Sequence, residues 1–336
     1  MTDRAVRLDQ FLAHCGWSDA RRVLVAGDAS NRRYDRLTRA TGETAIIMDA
    51  PPEKGEDIRP FVAIAEFLHR QNLSAPQIFH QDTKNGFLII EDLGDGLFAD
   101  LMAKDAKTQL PLYRASVDVL ARLHEAALPA LPVCDANWLI EMTGLFFEWY
   151  APDCFPHLAA EFETLFRPHV EAVSEADPVV ILRDYHAQNL LWLPNRTGTS
   201  RVGVLDFQDA LLGHRAYDLM SIMQDARRDV NPEIETAMID HYLTRTNRPR
   251  TDFLTAYATL GLQRNLRILG IFARLCLRDG KAHYVDMIPR VWGYVIRNLD
   301  HPALHEVNHL LAPVLTRPTA EFLMDLKNRC ATTPQQ

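Results

Sequence analysis

The sequence predicts an α+β protein of two lobes, a small N-terminal lobe of antiparallel strands followed by a larger, mainly helical one. Three observations lead there. After a short amphipathic opening, three runs rich in β-branched and apolar residues are separated by turn-forming residues. From about residue 108 the apolar residues recur at helical spacing over most of the chain. A single β-like island, PVVILRDYHAQNLLWL followed after a turn by RVGVLDFQDALLG, interrupts those helices.

In order, residues 5–16 have the pattern of a short helix. RRVLVA (21–26), RYDRLTRA (33–40) and ETAIIMDA (43–50) follow as strands. GDASN lies between the first two and TG between the second pair, so antiparallel hairpins are expected. PPEKGED reads as a loop. Residues 57–72 place Phe61, Ile64, Ala65 and Leu68 on one helical face, and GFLIIEDLGDG (86–96) reads as a buried strand that breaks at glycines. Residues 108–128, 136–176 and 232–330 are helical by period, with caps at Asp135, Asn231 and Pro302. The expected division is residues 1–92, ending in a hinge, and 93–336.

With 336 residues the chain is long enough for a large core without disulfide or metal staples. Its net charge of −8 argues against a general nucleic-acid or anionic-membrane surface, so any phosphate site must be a local basic pocket. Cys15, Cys134, Cys154, Cys276 and Cys330 are scattered, odd in number and form no CxxC. That suits free thiols in a reducing compartment. No signal-peptide core and no apolar run of about 18 residues is evident, so a soluble cytoplasmic protein is expected.

The chemistry concentrates in the island. Asp184 ends an apolar run, Asn189 closes the following polar turn, and Asp206 ends the strand VGVL. Read as one hairpin, these place three oxygen donors on one rim, a set suited to a hard divalent cation such as Mg²⁺. An Asp or Asn alone is most often a turn cap. Together, D-x-x-x-x-N followed by D-F matches the phosphoryl-transfer pattern of the kinase type, in which the first Asp accepts the proton of the attacking hydroxyl and the other two residues hold the metal. Upstream, the GDASN turn with Ser30, Asn31, Arg32 and Arg33 offers phosphate donors, although a solvated hairpin turn explains it equally well. The backbone of Glu91–Leu93 stands where a hinge pairs with adenine, and Glu66 stands on the helix after the third strand. That strand reads A-I-I-M, with Met48 in place of the usual Lys, and Arg33 is the candidate replacement cation. Leu182 stands where a His is usual.

These blocks, namely GDASNRRYDR, MDAPPEK, GFLIIEDLG, LFFEWY, RDYHAQNLLWL, GVLDFQDALLGHRAYDLMSIMQDAR and QRNLRILGIFARLCLRDGK, run in order through nearly the whole chain. The sequence resembles the aminoglycoside phosphotransferase family, which has the protein-kinase-like two-lobed fold. Within it, the sequence looks most like the anomeric N-acetylmuramate/N-acetylglucosamine kinases of bacterial cell-wall recycling. The resemblance implies ATP- and Mg²⁺-dependent phosphorylation of the C1 hydroxyl of an N-acetylated amino sugar, with Asp184 as base and Asn189 and Asp206 as metal ligands. It implies nucleotide contacts from Ser30, Asn31, Arg33, Glu91 and Leu93. Acceptor candidates are Arg183, Glu148, Trp149, Tyr150 and Arg264, although the FFEWY aromatics more often pack than bind. Another small alcohol such as an aminoglycoside, or a nucleotide-binding pseudokinase, is the alternative.

Other motifs carry less. GDG (94–96) lacks the rest of a dinucleotide fingerprint, no GxxxxGK[ST] occurs, and His301, His305 and His309 lack an HExxH and read as a solvated face.

Overall fold

The computed structural model describes residues 3–27, 31–154 and 157–333. The chain folds as two compact units, residues 1–123 with 187–210, and residues 124–186 with 211–336.

The first unit begins with α1 (Asp3–His14), then β1 (Arg21–Gly27), β2 (Arg33–Thr38) and β3 (Thr44–Asp49), as the sequence predicts. After α2 (Arg59–Arg70) come β4 (Ile78–Asp82) and β5 (Phe87–Ile90). The five strands form one antiparallel sheet in the order β1-β2-β3-β5-β4. Register fixes its faces. Leu37 pairs with Ala45, and Ile47 with Ile89, so these residues share one face. With Phe87 they bury against Leu8, Phe11 and Leu12 of α1 and against Trp17. Gly86 (φ 71°) permits the tight approach that closes β5 onto β3, since a Cβ there would lie 1.9 Å from the Ala50 carbonyl oxygen. The edge strand β4 is not visible in the sequence because its residues IFHQD carry no buried alternation, and Phe79 is 45% exposed.

Helices α3 (Phe98–Lys104) and α4 (Gln109–Leu123) also belong to this unit. The expected boundary at residue 92 therefore moves, because later segments hydrogen-bond back to the first. Val204 N–H donates to the Ser74 carbonyl (2.7 Å), and Trp192 N–H to the Gly96 carbonyl (2.7 Å).

The island is not one hairpin. Its strands are β6 (Val179–Ile181), β7 (Leu190–Trp192), β8 (Val202–Val204) and β9 (Leu211–Gly213). β7 pairs with β8 in the first unit, whereas β6 pairs with β9 in the second. Because β7 and β8 satisfy each other across their own turn, β6 must find its partner beyond them. The expected single rim is thus two nested ladders, and Asp184 and Asp206 follow strands of different ones.

In the second unit, α5 (Ala136–Leu145) and α6 (His157–Ser174) precede β6. After β9 come α7 (Ala216–Met223), α8 (Pro232–Thr246), α9 (Arg250–Leu277), α10 (Ile288–Leu299), α11 (His305–Leu311) and α12 (Ala320–Asn328). Every residue of α7 is buried, which erases the period that would have revealed it in sequence. Asp135 and Asn231 cap as expected, accepting from Trp138 N–H and Glu233 N–H, both at 2.8 Å. At Pro302 the cap is instead His301, whose Nδ1 accepts from Ala303 N–H, because proline at the first helical position has no N–H to be capped. Helix α9 spans 28 residues along the unit and passes so close to the end of α5 that a Cβ on Gly270 would sit 2.3 Å from Leu145 backbone atoms. Gly270→Val is expected to lower the unfolding free energy by about 2 kcal/mol or more, read by denaturant midpoint.

This unit also buries neutral imidazoles. Burial, reinforced by Arg215, pushes His124 down to about 3 and His214 down to about 4. The folded state thus refuses protons that the unfolded chain takes up below about 6.5. Stability from these groups is complete above that pH and is lost as pH falls towards 4, by about 2 kcal/mol per fully neutral histidine at pH 5. Urea midpoints measured from pH 7.5 to 5 are expected to fall, and the fall is expected to shrink in His124→Gln.

Candidate active site

The loop bearing Asp184 is built around a carboxylate from elsewhere. Asp218 of α7 is completely buried and accepts the N–H groups of Leu182 (2.6 Å) and Arg183 (2.9 Å). Arg183 must take the left-handed conformation (φ 69°) for both N–H groups to converge there. Burial raises Asp218 to about 7, and the two peptide donors and Arg264 oppose that rise. Asp184 follows, half-buried, with its N–H on the Leu182 carbonyl (2.8 Å) and with Leu182, Tyr185 and His186 buried around it. Burial first, then Arg227 and Arg264, pushes the His186 imidazole well below its ordinary range, so it is neutral at pH 7.

In the first unit, Asn189 and Asp206 come together directly, with Asn189 Nδ2 3.3 Å from Asp206 Oδ2. Leu205 N–H donates to the Asn189 carbonyl (2.9 Å), locking the two turns, and Asp206 also adopts a left-handed φ of 58°. Phe207 is fully buried with its ring 4.8 Å from that of Phe61, which anchors the carboxylate to α2. Gln208 Nε2 donates to Asp206 Oδ1 at 2.9 Å. No group of three or more His, Cys, Asp and Glu able to hold a metal occurs among the described residues. One carboxylate and one amide oxygen nevertheless fit Mg²⁺, which keeps several waters and takes its other oxygens from phosphates.

The nucleotide-side expectations fare unevenly. Ser30 lies outside the described residues. Asn31 N–H donates to Glu56 Oε1 (3.0 Å) and Arg32 Nε to Glu56 Oε2 (2.7 Å), so these two residues are tied to the loop after β3. Arg33 cannot stand in for the lysine absent at Met48. It pairs in register with Asp49, whereas Met48 pairs with Tyr34, so Arg33 leaves the sheet by the opposite face and donates to Asp35 at 3.0 Å. The cation on Met48's own face is Arg36, engaged by Asp92 and Asp95, both at 2.7 Å. Glu91 N–H is taken by the Gln77 carbonyl (2.8 Å) and its side chain pairs with Arg196. Glu66 is exposed and, among the described residues, its ion-pair partner is Arg70 of its own helix, at 4.0 Å.

Of the acceptor candidates, Tyr150 is a core residue. It is 3% exposed, stacks on Phe146 and donates its hydroxyl to the Thr316 carbonyl (2.8 Å). Residues 146–150 form a π-helical turn that leaves Glu148 exposed and Trp149 half-buried. Arg183 and Arg264 do approach one another's surroundings, since both act on Asp218 and Tyr217. The aromatic beside Arg183 is Trp138, with the guanidinium 5.3 Å from the ring centroid and that of Arg267 at 5.5 Å. Trp138, Arg267, Asp218 and Gln208 escape sequence reasoning. Asp218 alone leaves a signal there, as a charge inside the otherwise apolar AYDLMSIM.

A profile of the phosphotransferase enzyme family matches residues 22–254. The chain belongs to that family. It is 40% identical to an N-acetylmuramate/N-acetylglucosamine kinase of Caulobacter vibrioides, over 91% of this chain and 95% of the relative. It is 34% identical to the enzyme of the same name from Pseudomonas aeruginosa, over 88% and 90%. Solved phosphotransferases share the two-lobed kinase-like fold. Choline kinase LicA of Streptococcus pneumoniae aligns with a TM-score of 0.61 at 12% identity, over 87% of this chain and 99% of that one. ADP-bound aminoglycoside phosphotransferase APH(2'')-Ib aligns at 0.57 and 13%, over 96% and 99%.

Replacing Asp218 by Asn sets an NH₂ group against two peptide donors. The variant is expected to lose about 1–3 kcal/mol of stability by thermal or chemical unfolding. Its kcat is expected to fall at least about tenfold at a temperature where it is fully folded.

Proposed function

We propose that this phosphotransferase moves the γ-phosphoryl group of ATP to the anomeric hydroxyl of N-acetylmuramic acid, N-acetylglucosamine or both. The carrying observation is Asp184, a half-buried carboxylate on a loop whose two preceding peptides are fixed by Asp218. The names of the relatives at 40% and 34% identity support the acceptor class.

In this reading Asp184 accepts the proton of the C1 hydroxyl as its oxygen bonds to the γ-phosphorus, and the bridging bond to ADP breaks. A hemiacetal hydroxyl is more acidic than an ordinary alcohol, so the base mainly orients it, and positioning carries most of the acceleration. Asn189 and Asp206 would hold Mg²⁺, which neutralises phosphate charge when bound. Since Glu91 N–H is already engaged, the adenine contacts fall to the Glu91 carbonyl and the Leu93 backbone. An aminoglycoside, a polycation, suits the acceptor side poorly, because Arg183 and Arg264 would repel it.

Asp184→Asn is expected to lower kcat by about 10²–10⁴ while leaving thermal stability near wild type. Phosphorus NMR of the product should place the phosphate on C1. Full kcat in the variant would remove Asp184 from its role, and a C6 phosphate would defeat the anomeric assignment.

A further inference from the structure

The end of the chain returns to α9 and brings two thiols together. Cys276, in the last turn of α9, has no exposure, and its Sγ donates to the Leu326 carbonyl of α12 at 3.3 Å. Past α12 the chain turns back on α9. Ala331 N–H donates to the Cys276 carbonyl (3.0 Å) and Thr333 N–H to the Leu277 carbonyl (3.1 Å). Lys327 Nζ of α12 also holds Asp286 Oδ1 at 2.5 Å. These bonds fasten half-buried Cys330 so that its thiol lies in hydrogen-bonding reach of Cys276 Sγ. Both residues are free thiols in this structure.

The backbone beside Cys330 is strained into this approach. Ala331 takes a left-handed φ of 59°, which a residue with a Cβ keeps only where surrounding bonds over-determine it. Here the bond from its own N–H to the Cys276 carbonyl does so. The two sulfurs are unequal. Burial first, then the contact with Cys330, pushes Cys276 up to about 11, so it stays a thiol at neutral pH. Cys330 is the sulfur that a small oxidant in solvent can reach. A buried thiol alone is inert packing, whereas a second, accessible thiol against it supplies an attacking and a resolving sulfur.

We propose that Cys276 and Cys330 are a redox modification site, at which hydrogen peroxide forms a reversible disulfide that fastens the C-terminal segment to α9. The Cys330 sulfur, as thiolate, attacks one peroxide oxygen, and the O–O bond breaks. The products are a sulfenic acid and hydroxide, which takes up the proton the thiol lost and becomes water. The Cys276 sulfur then attacks the sulfenic sulfur. The S–S bond forms, the S–O bond breaks, and the leaving hydroxide carries off the Cys276 proton as a second water. Two thiols thus lose two electrons and two protons, and one peroxide is reduced to two waters. A dithiol reductant reverses the bond by exchange. The bridge closes a loop holding α10, α11 and α12, which restricts the unfolded chain. The site is separate from the residues of phosphoryl transfer and does not depend on the acceptor.

The test treats the full chain with a small molar excess of hydrogen peroxide and then blocks remaining thiols with iodoacetamide in denaturant. Unreduced peptides are mapped by mass spectrometry. The expected result is one linked pair carrying Cys276 and Cys330, lighter by two hydrogens than the separate peptides, which dithiothreitol removes. The linked protein is expected to melt about 5 °C above the reduced protein. Cys330→Ser should show neither the linkage nor the rise, while its untreated melting temperature stays near that of the wild type. Oxidation of Cys330 to a sulfinic acid without linkage overturns the proposal. So does a linkage through Cys15, Cys134 or Cys154, or one between two chains. Linked wild-type protein that melts no higher than the reduced form overturns the fastening of the C-terminal segment without any variant.

Discussion

The second unit's chemistry hangs on one buried carboxylate. Asp218 has no exposure, yet it sits on a helix whose other residues are apolar or small, where an unpaired charge would be prohibitive. What makes it tolerable is the pair of peptide N–H groups from Leu182 and Arg183, each a charge-assisted hydrogen bond worth about 1.5–3 kcal/mol. The same two bonds force Arg183 into the left-handed region and set the direction in which the chain delivers Asp184. A loop would otherwise sample many conformations. Here its backbone is over-determined, the condition under which strained φ values persist at functional positions.

Around that point the second unit keeps its imidazoles neutral and sets Arg264 among the buried carboxylates Asp218 and Asp225. His186 is surrounded by apolar residues and by Arg227 and Arg264, so no imidazolium competes for Asp184's partner charge at neutral pH. The arginines on α9 line up because helical periodicity stacks them, and Gly270 lets that helix approach α5 closely enough to bring Trp138 alongside. Backbone packing and electrostatics are therefore one problem here. The close helix approach is what places the aromatic ring among the arginines.

The first unit has Met48 and no lysine on its third strand. Met48 lies buried on a face whose cation, Arg36, is already held by Asp92 and Asp95 in the segment after β5. This stitches the sheet to that segment through opposite charges instead of leaving a lysine free. Phe207 plays the corresponding part for Asp206, since its ring against Phe61 fixes a carboxylate through apolar contact.

Much of this was legible in the residues themselves. The first three strands, their hairpins, α2, the caps at Asp135 and Asn231, and the meeting of Asn189 with Asp206 follow from alternation, turn chemistry and spacing, all local properties. β4 and α7 were not legible, because an edge strand has no buried alternation and a wholly buried helix has no polar face. Tyr150 looked like a ligand aromatic but proved to be core, since sequence does not show which neighbour covers a ring. The single rim imagined for the island became two nested ladders, because strand pairing is decided between segments and not within them. Face parity, too, depends on register: Arg33 and Met48 look adjacent in the pattern and yet leave the sheet on opposite sides. The sequence by itself determined which chemical groups are present and the local elements that carry them. Only the tertiary structure decided that Asp218 holds the loop and that Arg267 and Trp138 stand beside Arg183, because those contacts join residues dozens of positions apart whose meeting no local rule encodes.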